Sequence, residues 1–292
     1  MTILEVLRDY PWVLYVTVGV VGLCVGSFLN VVVHRLPKMM EAQWRAECAE
    51  LNGATVDERP RYNLVVPASA CPSCATPIRA WQNVPVVSWI ALRGKCAACK
   101  APISARYPAV EALTGLLSLA VAWKFGFSFA TVAGLFFVWA LVALTFIDLD
   151  TQLLPDDITL PLLWAGLLVN SLGPMGMFVP LRSSVFGAMA GYLLLWSVYW
   201  AFRLLVKKEG MGYGDFKLLA AICAWFGWQV LPLVVLVSAL SGTIIGSIAL
   251  IAAKKGTDTR IPFGPYLAVG GLVALFYGHE AVVRWLGGFP VL

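Results

Sequence analysis

The sequence predicts an all-α fold: a polytopic bundle of membrane helices with one small polar insertion. Two observations lead to this prediction. Apolar residues make up 60% of the 292 positions and charged residues only 13%, a composition far from that of soluble domains. The apolar residues also form runs of about 18 or more, and only a helix closes all of its backbone hydrogen bonds within one segment in hydrocarbon.

These runs predict about eight membrane helices, most of them long enough for a hydrocarbon thickness of about 30 Å. The first span covers 11–33, and the others follow at 108–125, 127–147, 158–178, 184–206, 217–230, 231–253 and 266–288. The sixth differs from the rest, because 217–230 is short for a bilayer and Pro232 follows it directly. It is therefore a candidate for a half-buried or re-entrant helix.

Lysine and arginine are distributed unevenly among the connections. The connection 34–107 is rich in them, and eight spans place a second group on the same side: Lys207, Lys208, Lys217, Lys254, Lys255 and Arg260. Short connections rich in these residues stay in the cytoplasm. We therefore expect 34–107 to be cytoplasmic and both termini to lie outside the cytoplasm. The net charge of +5 reflects this topology, and nucleic-acid binding is not expected.

The segment 34–107 is the one stretch long and polar enough for a domain outside the membrane. The sequence thus divides into a first transmembrane helix at 1–33, a cytoplasmic insertion at 34–107 and a membrane-embedded core at 108–292. An insertion of this size buries little apolar surface. We therefore expect a metal ion, or docking to the membrane helices, to stabilise it.

Four of the seven cysteines lie in this insertion as two C-x2-C pairs, Cys71 with Cys74 and Cys96 with Cys99. Each pair presents two thiolates from one tight turn, and two pairs complete the four-sulfur shell of a structural zinc site. The alternatives are two disulfides or a redox C-x-x-C. A cytoplasmic location opposes stable disulfides, and no thioredoxin-like strand and helix surround either pair. The pattern predicts one structural zinc ion.

Two aspartates lie at the ends of apolar runs, where a carboxylate is costly and is therefore a candidate for function. Asp148 ends the third span, and Asp215 directly precedes the sixth. With eight spans, both lie at cytoplasmic helix ends and can approach one another. Two neighbouring carboxylates do not both ionise easily, so one retains a proton while the other activates water against a peptide carbonyl. The pair predicts an aspartyl protease with catalytic residues Asp148 and Asp215.

Other acids in the apolar segments have simpler interpretations. Asp156 or Asp157 is interpreted as the N-cap of the fourth span, and Asp150 as a solvated residue at the interface. Asp215 is itself a candidate cap for the sixth helix, and its pairing with a second acid is what favours catalysis. Glu111, early in the second span, is expected to form hydrogen bonds between helices.

Six ordered blocks give the chain a resemblance to a known family. They are Gly26-Ser-Phe-Leu-Asn-Val31 with His34-Arg-Leu-Pro37, the double cysteine pair, Arg93-Gly-Lys-Cys96 with 103–111, Asp148-Leu-Asp150 with Leu154-Pro-Asp156, Gly210-Met-Gly-Tyr-Gly-Asp-Phe-Lys217, and Ile261-Pro-Phe-Gly-Pro-Tyr266. Over nearly its whole length the chain resembles the type IV prepilin peptidases, which are bifunctional leader peptidases and N-methyltransferases. The Gly-x-Gly-Asp block alone also resembles preflagellin peptidases and presenilin-type proteases.

The resemblance implies an activity, a substrate and a location. The family's catalytic acids, the first aspartate of Asp-x-Asp and the aspartate of Gly-x-Gly-Asp, correspond here to Asp148 and Asp215. The implied reaction cuts type IV prepilins or pseudopilins after a glycine that ends a short basic leader, at the cytoplasmic face of a bacterial inner membrane. Methylation of the new N-terminal residue, commonly phenylalanine, from S-adenosyl-L-methionine follows. Family members without the cysteine pairs exist, which makes the metal dispensable to cleavage in general.

An acidic cluster is expected to attract the basic leader. Its members are Asp148, Asp150, Asp156, Asp157, Glu209 and Asp215. Replacing Asp150 and Asp156 with asparagine should weaken binding of the leader without abolishing the chemistry.

The methyl-donor site has no clear sequence pattern. No glycine-rich loop follows a strand, so a Rossmann-type methyltransferase domain is not supported. The site is expected in 34–107 and the adjoining helix ends. Glu41 is the best candidate for a participating acid, and a solvated loop glutamate is the equal alternative.

Two rival functions fit parts of the same pattern. A transporter also places acids in broken membrane helices, but it predicts internal repeats of similar spans, and none is visible. A non-catalytic assembly protein of the pilus or secretion machinery would dock through the zinc-bound insertion. It requires no paired acids, so alanine at position 148 or 215 would leave its function intact.

Overall fold

A computed structural model of the chain describes residues 2–53, 61–172, 176–207, 211–252 and 262–285. Within these ranges the protein forms α-helices and no β-strand, which confirms the all-α prediction. Five helical segments are long and apolar enough to cross a membrane: Pro11–Leu51, Arg106–Phe125, Phe129–Thr151, Leu181–Val206 and Trp228–Ile248. The chain is therefore a membrane protein. The count of eight spans stays a prediction.

The helices are named in chain order. They are α1 (Ile3–Asp9), α2 (Pro11–Leu51), α3 (Val87–Ala91), α4 (Arg106–Phe125), α5 (Phe129–Thr151), α6 (Asp156–Ser171), α7 (Leu181–Val206), α8 (Tyr213–Phe226), α9 (Leu231–Ala252) and α10 (Gly264–Trp285). Each predicted span overlaps one of them. The chain divides into two compact units, Met1–Thr131 and Val132–Leu292.

In the first unit, α2 packs along α4. Two glycines on α2 bring the helices together: a Cβ at Gly22 would lie 2.5 Å from Ser118 Oγ, and a Cβ at Gly26 would lie 2.7 Å from Glu111 Cα. Small residues spaced four apart allow membrane helices to approach closely. Helix α2 continues beyond the predicted span to Leu51, through Pro37.

Arg35 ties the polar insertion to α2. Its Nη1 donates to the Asn63 carbonyl at 2.9 Å and its Nη2 to the Pro67 carbonyl at 2.7 Å, while the guanidinium lies 5.7 Å from the centre of the Tyr62 ring. Arg35 is buried, and a buried charge requires such partners. The segment 62–67 is thereby held against the helix.

Helix α8 forms the centre of the second unit. It has 14 residues, and all those from Leu218 to Phe226 are buried among α6, α7 and α10. At a rise of about 1.5 Å per residue it is roughly 21 Å long, shorter than a hydrocarbon layer of about 30 Å. A helix enclosed on every side is apolar all round. This explains why 217–230 is strongly apolar although it is short for a membrane span.

Neighbouring helices fix the C-terminal end of α8. The Ser184 hydroxyl of α7 donates to the Ala224 carbonyl, and the Trp225 indole donates to the Leu162 carbonyl of α6 at 2.8 Å. Asn170 of α6 donates to the carbonyls of Ala224 and Trp225 at 3.0 and 2.9 Å. The bonds to the Ala224 and Trp225 carbonyls satisfy groups that the end of α8 leaves without intrahelical partners.

The prediction that Asp156 or Asp157 caps the fourth span was wrong. Helix α6 begins at Asp156, the N-cap position belongs to Pro155, and no side chain caps the helix. Both aspartates lie in the first turn, where a negative charge interacts favourably with the helix dipole. Asp215 is not a cap either, because the N-cap of α8 is Gly212.

Candidate active site and metal centre

Asp148 and Asp215 come together in the second unit. Asp148 lies near the end of α5 and Asp215 in the first turn of α8. Their exposed fractions are only 4% and 6%, and they are close enough for their negative charges to repel one another. The structure thus brings together, at low exposure, the two acids that were predicted to act as a pair.

The start of α10 holds Asp148. The Gly264 N–H donates to Oδ2 of Asp148 at 2.9 Å, in a buried hydrogen bond. Gly264 belongs to the block 261–266, which entered the sequence analysis only as part of the family resemblance. Ile261 lies outside the described residues. The sequence contained this block, but no local pattern indicated its contact with Asp148.

The carboxylate of Asp215 has a hydrogen-bond partner for only part of its acceptor capacity. The Gly212 N–H interacts with its carboxylate, whereas Oδ1 is buried and has no hydrogen-bond partner within the described part of the chain. A buried oxygen without a partner costs about 1–3 kcal/mol, so it is well suited to accepting a hydrogen bond from a water molecule or, when protonated, to donating one to a peptide carbonyl. Glu209 and Gly210, also named from the sequence, fall outside the described residues.

Leu154 packs between Gly214 and Gly264. A Cβ at Gly214 would lie 2.7 Å from Leu154 Cβ, and a Cβ at Gly264 would lie 3.1 Å from Leu154 Cδ2. Leu154 therefore touches the first turn of α8 and the first residue of α10, and glycine leaves room for it on both sides. No sequence pattern predicted this role for Leu154.

One member of the predicted acidic cluster, Asp156, forms an ion pair with a lysine. Lys217 Nζ donates to both carboxylate oxygens of Asp156 at 2.7 Å, which neutralises much of that charge and links α6 to α8. Asp150 and Asp157 are exposed. Within the described part of the chain, the predicted cluster therefore keeps exposed negative charges besides the Asp156–Lys217 ion pair.

Glu111 and Glu41 lie in the first unit. Glu111 is buried; its Oε2 accepts the Val86 N–H at 2.7 Å and its carboxylate interacts with the Ser27 hydroxyl of α2, in agreement with the predicted role between helices. Glu41 is exposed and pairs with Arg45. It lies on α2, so the loop location considered for it was wrong, because the helix continues past Pro37.

The four paired cysteines form one cluster. The Sγ atoms of Cys71, Cys74, Cys96 and Cys99 all lie within 4.8 Å of one another, and those of Cys71 and Cys99 are 3.8 Å apart. A tetrahedral zinc ion with Zn–S bonds of about 2.3 Å separates its sulfur ligands by about 3.8 Å. The donor set and its spacing therefore fit zinc.

The two cysteine pairs repeat the same turn. The N–H groups of Cys71 and Cys96 donate to the carbonyls five residues on, Thr76 and Ala101, at 3.0 and 2.8 Å. The residue after each pair has a positive φ, 55° at Ala75 and 60° at Lys100. Hydrogen bonds with the side chain and backbone of Thr76 lower the pKa of Cys74 to about 6, whereas the neighbouring thiols of Cys74 and Cys96 help to raise the pKa of Cys99 to about 11. The four thiols therefore do not ionise alike on their own, and a zinc ion would favour the thiolate form of each.

Comparison with known proteins gives consistent matches along the chain. Residues 20–125 match the Bacterial Peptidase A24 N-terminal domain, and residues 135–247 match the Type IV leader peptidase family. Relatives named prepilin leader peptidase/N-methyltransferase include one from Aeromonas hydrophila, 54% identical over 97% of each chain, and one from Pseudomonas aeruginosa, 52% identical over 98% of each chain. No solved structure matches the chain.

Proposed function

The chain belongs to the type IV leader peptidase family, and we propose on this basis that it removes the basic leader of type IV prepilins or pseudopilins and methylates the new N-terminal residue. It is a membrane-bound leader peptidase and N-methyltransferase. The proposed location is the bacterial inner membrane, with cleavage at the cytoplasmic face. Full-length relatives that bear the name of an enzyme decide against the transporter and the non-catalytic assembly protein.

The observation that supports peptide cleavage is the buried pair of Asp148 and Asp215. In the proposed mechanism one acid is ionised and accepts a proton from water while the water oxygen attacks the peptide carbonyl carbon. The other acid donates its proton to the carbonyl oxygen. Collapse of this tetrahedral intermediate breaks the C–N bond: the first acid gives its proton to the leaving amine, and the second acid takes a proton from a hydroxyl of the intermediate as the C=O bond re-forms. Both acids thereby return to their starting protonation states.

The acidic cluster is proposed to select the leader. A Lys/Arg-rich segment is attracted to Asp150 and Asp157 at the aqueous side, and the attraction weakens with ionic strength because exposed charges are screened. The apolar surroundings of the acid pair favour a substrate in which the residues after the cleavage site are apolar. The site is thus suited to cutting a peptide where a charged leader meets an apolar segment.

The zinc ion is proposed to have a structural role. Cys71, Cys74, Cys96 and Cys99 would hold it in a closed four-sulfur shell, which leaves no open coordination position for chemistry. Bound zinc supplies a cross-link between two turns of a segment that has little apolar core of its own.

The second activity requires a methyl donor, for which S-adenosyl-L-methionine is proposed. When bound, this cofactor would supply a methyl group to the N-terminal amine, with its S–CH3 bond broken and a neutral thioether as the leaving group, and the amine would lose a proton. Glu41 is the candidate residue for taking up that proton, because its carboxylate is exposed on α2. Its ion pair with Arg45 would have to open for this to occur.

The function is tested with the purified protein in detergent and a synthetic prepilin peptide with a basic leader. Mass spectrometry should detect the peptide without its leader, and addition of S-adenosyl-L-methionine should add one methyl group to the new N-terminus only after cleavage. A peptide whose leader lysines and arginines are replaced by glutamine is the matched control and should be cut more slowly. An intact basic-leader peptide after prolonged incubation would contradict the proposal.

A further inference from the structure

The start of α10 contacts the acid pair directly, through a hydrogen bond to Asp148. Gly264, the first residue of this helix, donates its N–H to Asp148 Oδ2 at 2.9 Å in a buried setting. A hydrogen bond to a carboxylate restricts the rotation of the group and occupies one of its two oxygens. The other oxygen, Oδ1, remains the one that can accept a proton from water.

Glycine at position 264 is required by space and not by backbone conformation. Gly264 is not among the glycines with positive φ, so its backbone is one that an alanine can adopt. A Cβ at this position, however, would lie 2.7 Å from Asp148 Oδ2 and 3.2 Å from Asp148 Cγ. Contacts under 3 Å between carbon and oxygen force one of the two groups to move.

The neighbours of Gly264 leave little room for that movement. On one side Asp148 is 4% exposed and is enclosed by the bundle. On the other side Leu154 Cδ2 lies 3.1 Å from the site of the added Cβ, and Leu154 is itself packed against Gly214. The Asp148 carboxylate is therefore the group that a larger residue at position 264 displaces.

We propose that Gly264 is a positioning residue for peptide cleavage, which holds the Asp148 carboxylate in its reactive orientation. This inference rests on the proposed function, because it assigns Asp148 a part in the chemistry. Gly264 acts through Asp148: its N–H holds Oδ2, and its missing side chain leaves the carboxylate in place beside Asp215. Replacement by alanine retains the N–H but moves the carboxylate away from the water it activates.

The test compares Gly264→Ala with Gly278→Ala in the same helix. Among the described residues, a Cβ at Gly278 would meet Val230 Cγ1 at 3.2 Å and Ala274 Cβ at 3.8 Å but no atom of the acid pair, so this control should cleave at the wild-type rate. A displacement of a catalytic group by about 1 Å costs about a hundredfold in rate. We expect kcat for cleavage of the basic-leader peptide to fall about a hundredfold in Gly264→Ala, while KM changes less than about twofold.

Two further readouts distinguish positioning from a general loss of structure. Methylation of a pre-cleaved peptide and the thermal unfolding midpoint should both remain close to wild type in Gly264→Ala. The affinity for a peptide with a non-cleavable hydroxyethylene group at the scissile bond should fall in parallel with kcat, since that group contacts the acids. A wild-type kcat would overturn the proposal, and so would an equal loss of kcat, methylation and thermal stability.

A second variant keeps the test decisive if Gly264→Ala proves too unstable to purify. The double variant Leu154→Ala/Gly264→Ala removes the Leu154 Cδ2 contact and leaves the Asp148 contact, so its kcat should lie well below that of Leu154→Ala alone. Equal values would overturn the proposal. Asp148→Asn separates the two hypotheses: if it cleaves normally the catalytic assignment itself fails, whereas an inactive Asp148→Asn beside a fully active Gly264→Ala removes only the positioning role.

Discussion

The carboxylates of Asp148 and Asp215 are buried, which is energetically unfavourable for a charged group. Burial removes the hydration that stabilises a charged oxygen, and a second acid nearby adds repulsion between the two charges. Asp215 Oδ1 also lacks a hydrogen-bond partner among the residues that the structure describes. Natural proteins retain such groups chiefly where chemistry requires them. The cost is therefore itself an argument for an active site.

The exposed acids are proposed to have a different role, in which charge matters more than geometry. We expect Asp157→Asn to raise the KM for a basic-leader peptide about two- to fivefold at low salt, because one attractive charge is worth a few tenths of a kcal/mol to about 1 kcal/mol at an exposed site. The value of kcat should stay close to wild type. Steady-state kinetics at about 20 mM and about 500 mM salt measure both quantities, and the difference should shrink at high salt.

Asp9→Asn is the control for this prediction. It removes the same charge from α1 in the first unit, outside the acidic cluster, and should leave KM unchanged. A KM that is insensitive to Asp157→Asn at low salt would contradict leader recognition by the acidic cluster. Asp156 is a poorer choice for the test, because its substitution also releases Lys217.

At the scale of elements, the cysteine turns are predicted to require zinc. Purified wild-type protein should contain one zinc ion per chain, and Cys74→Ser should reduce the metal content because serine is a poor zinc ligand. Zinc contributes about 10–16 kcal/mol to folding in small zinc-finger peptides, far more than the apolar core of a short insertion supplies. Loss of zinc should therefore expose the segment 61–105 to proteases.

Metal analysis and limited proteolysis test this prediction together. Cys48→Ser is the matched control, since Cys48 lies on α2 away from the cluster, and it should keep full zinc content. A wild-type protein with no zinc and with disulfides between the paired cysteines would establish the alternative that the sequence analysis left open.

Elements whose contacts are local could be predicted from the sequence. The two cysteine pairs form their turns within a few residues, and the spacing alone indicated a metal site. The bond between Gly264 and Asp148 joins residues 116 positions apart, and no pattern within either segment specifies it. The pairing of Asp156 with Lys217 was also missed, because it depends on how α6 and α8 pack. Long-range packing is the information that local patterns do not contain.

At the scale of the whole molecule, the distribution of basic residues predicts the topology. Lys207, at the end of α7, should lie in the cytoplasm, and Arg182, at its start, should lie on the other side. A membrane-impermeant maleimide should therefore label Arg182→Cys in intact spheroplasts and Lys207→Cys only after lysis. Labelling is compared with the parent chain, because Cys24 and Cys48 are present in all variants. The reverse pattern would contradict the predicted orientation.

The all-helical architecture follows from composition, because backbone in hydrocarbon has few alternatives to the helix. The enclosed position of α8 does not follow from composition. Its sequence is apolar on all sides, which is equally compatible with contact to lipid and contact to other helices. Burial of α8 among α6, α7 and α10 decides between these possibilities and places Asp215, at the start of α8, inside the second unit.

The central claim is that Asp148 and Asp215 together cut the leader peptide. It is tested most directly by the cleavage rate of the basic-leader peptide with the single variants Asp148→Asn and Asp215→Asn. We predict that each variant loses about 10²- to 10⁴-fold in kcat, the usual contribution of an acid or base, and that both still methylate pre-cleaved peptide. Cleavage at the wild-type rate by either variant would contradict the claim, and Asp150 would be the next acid to test.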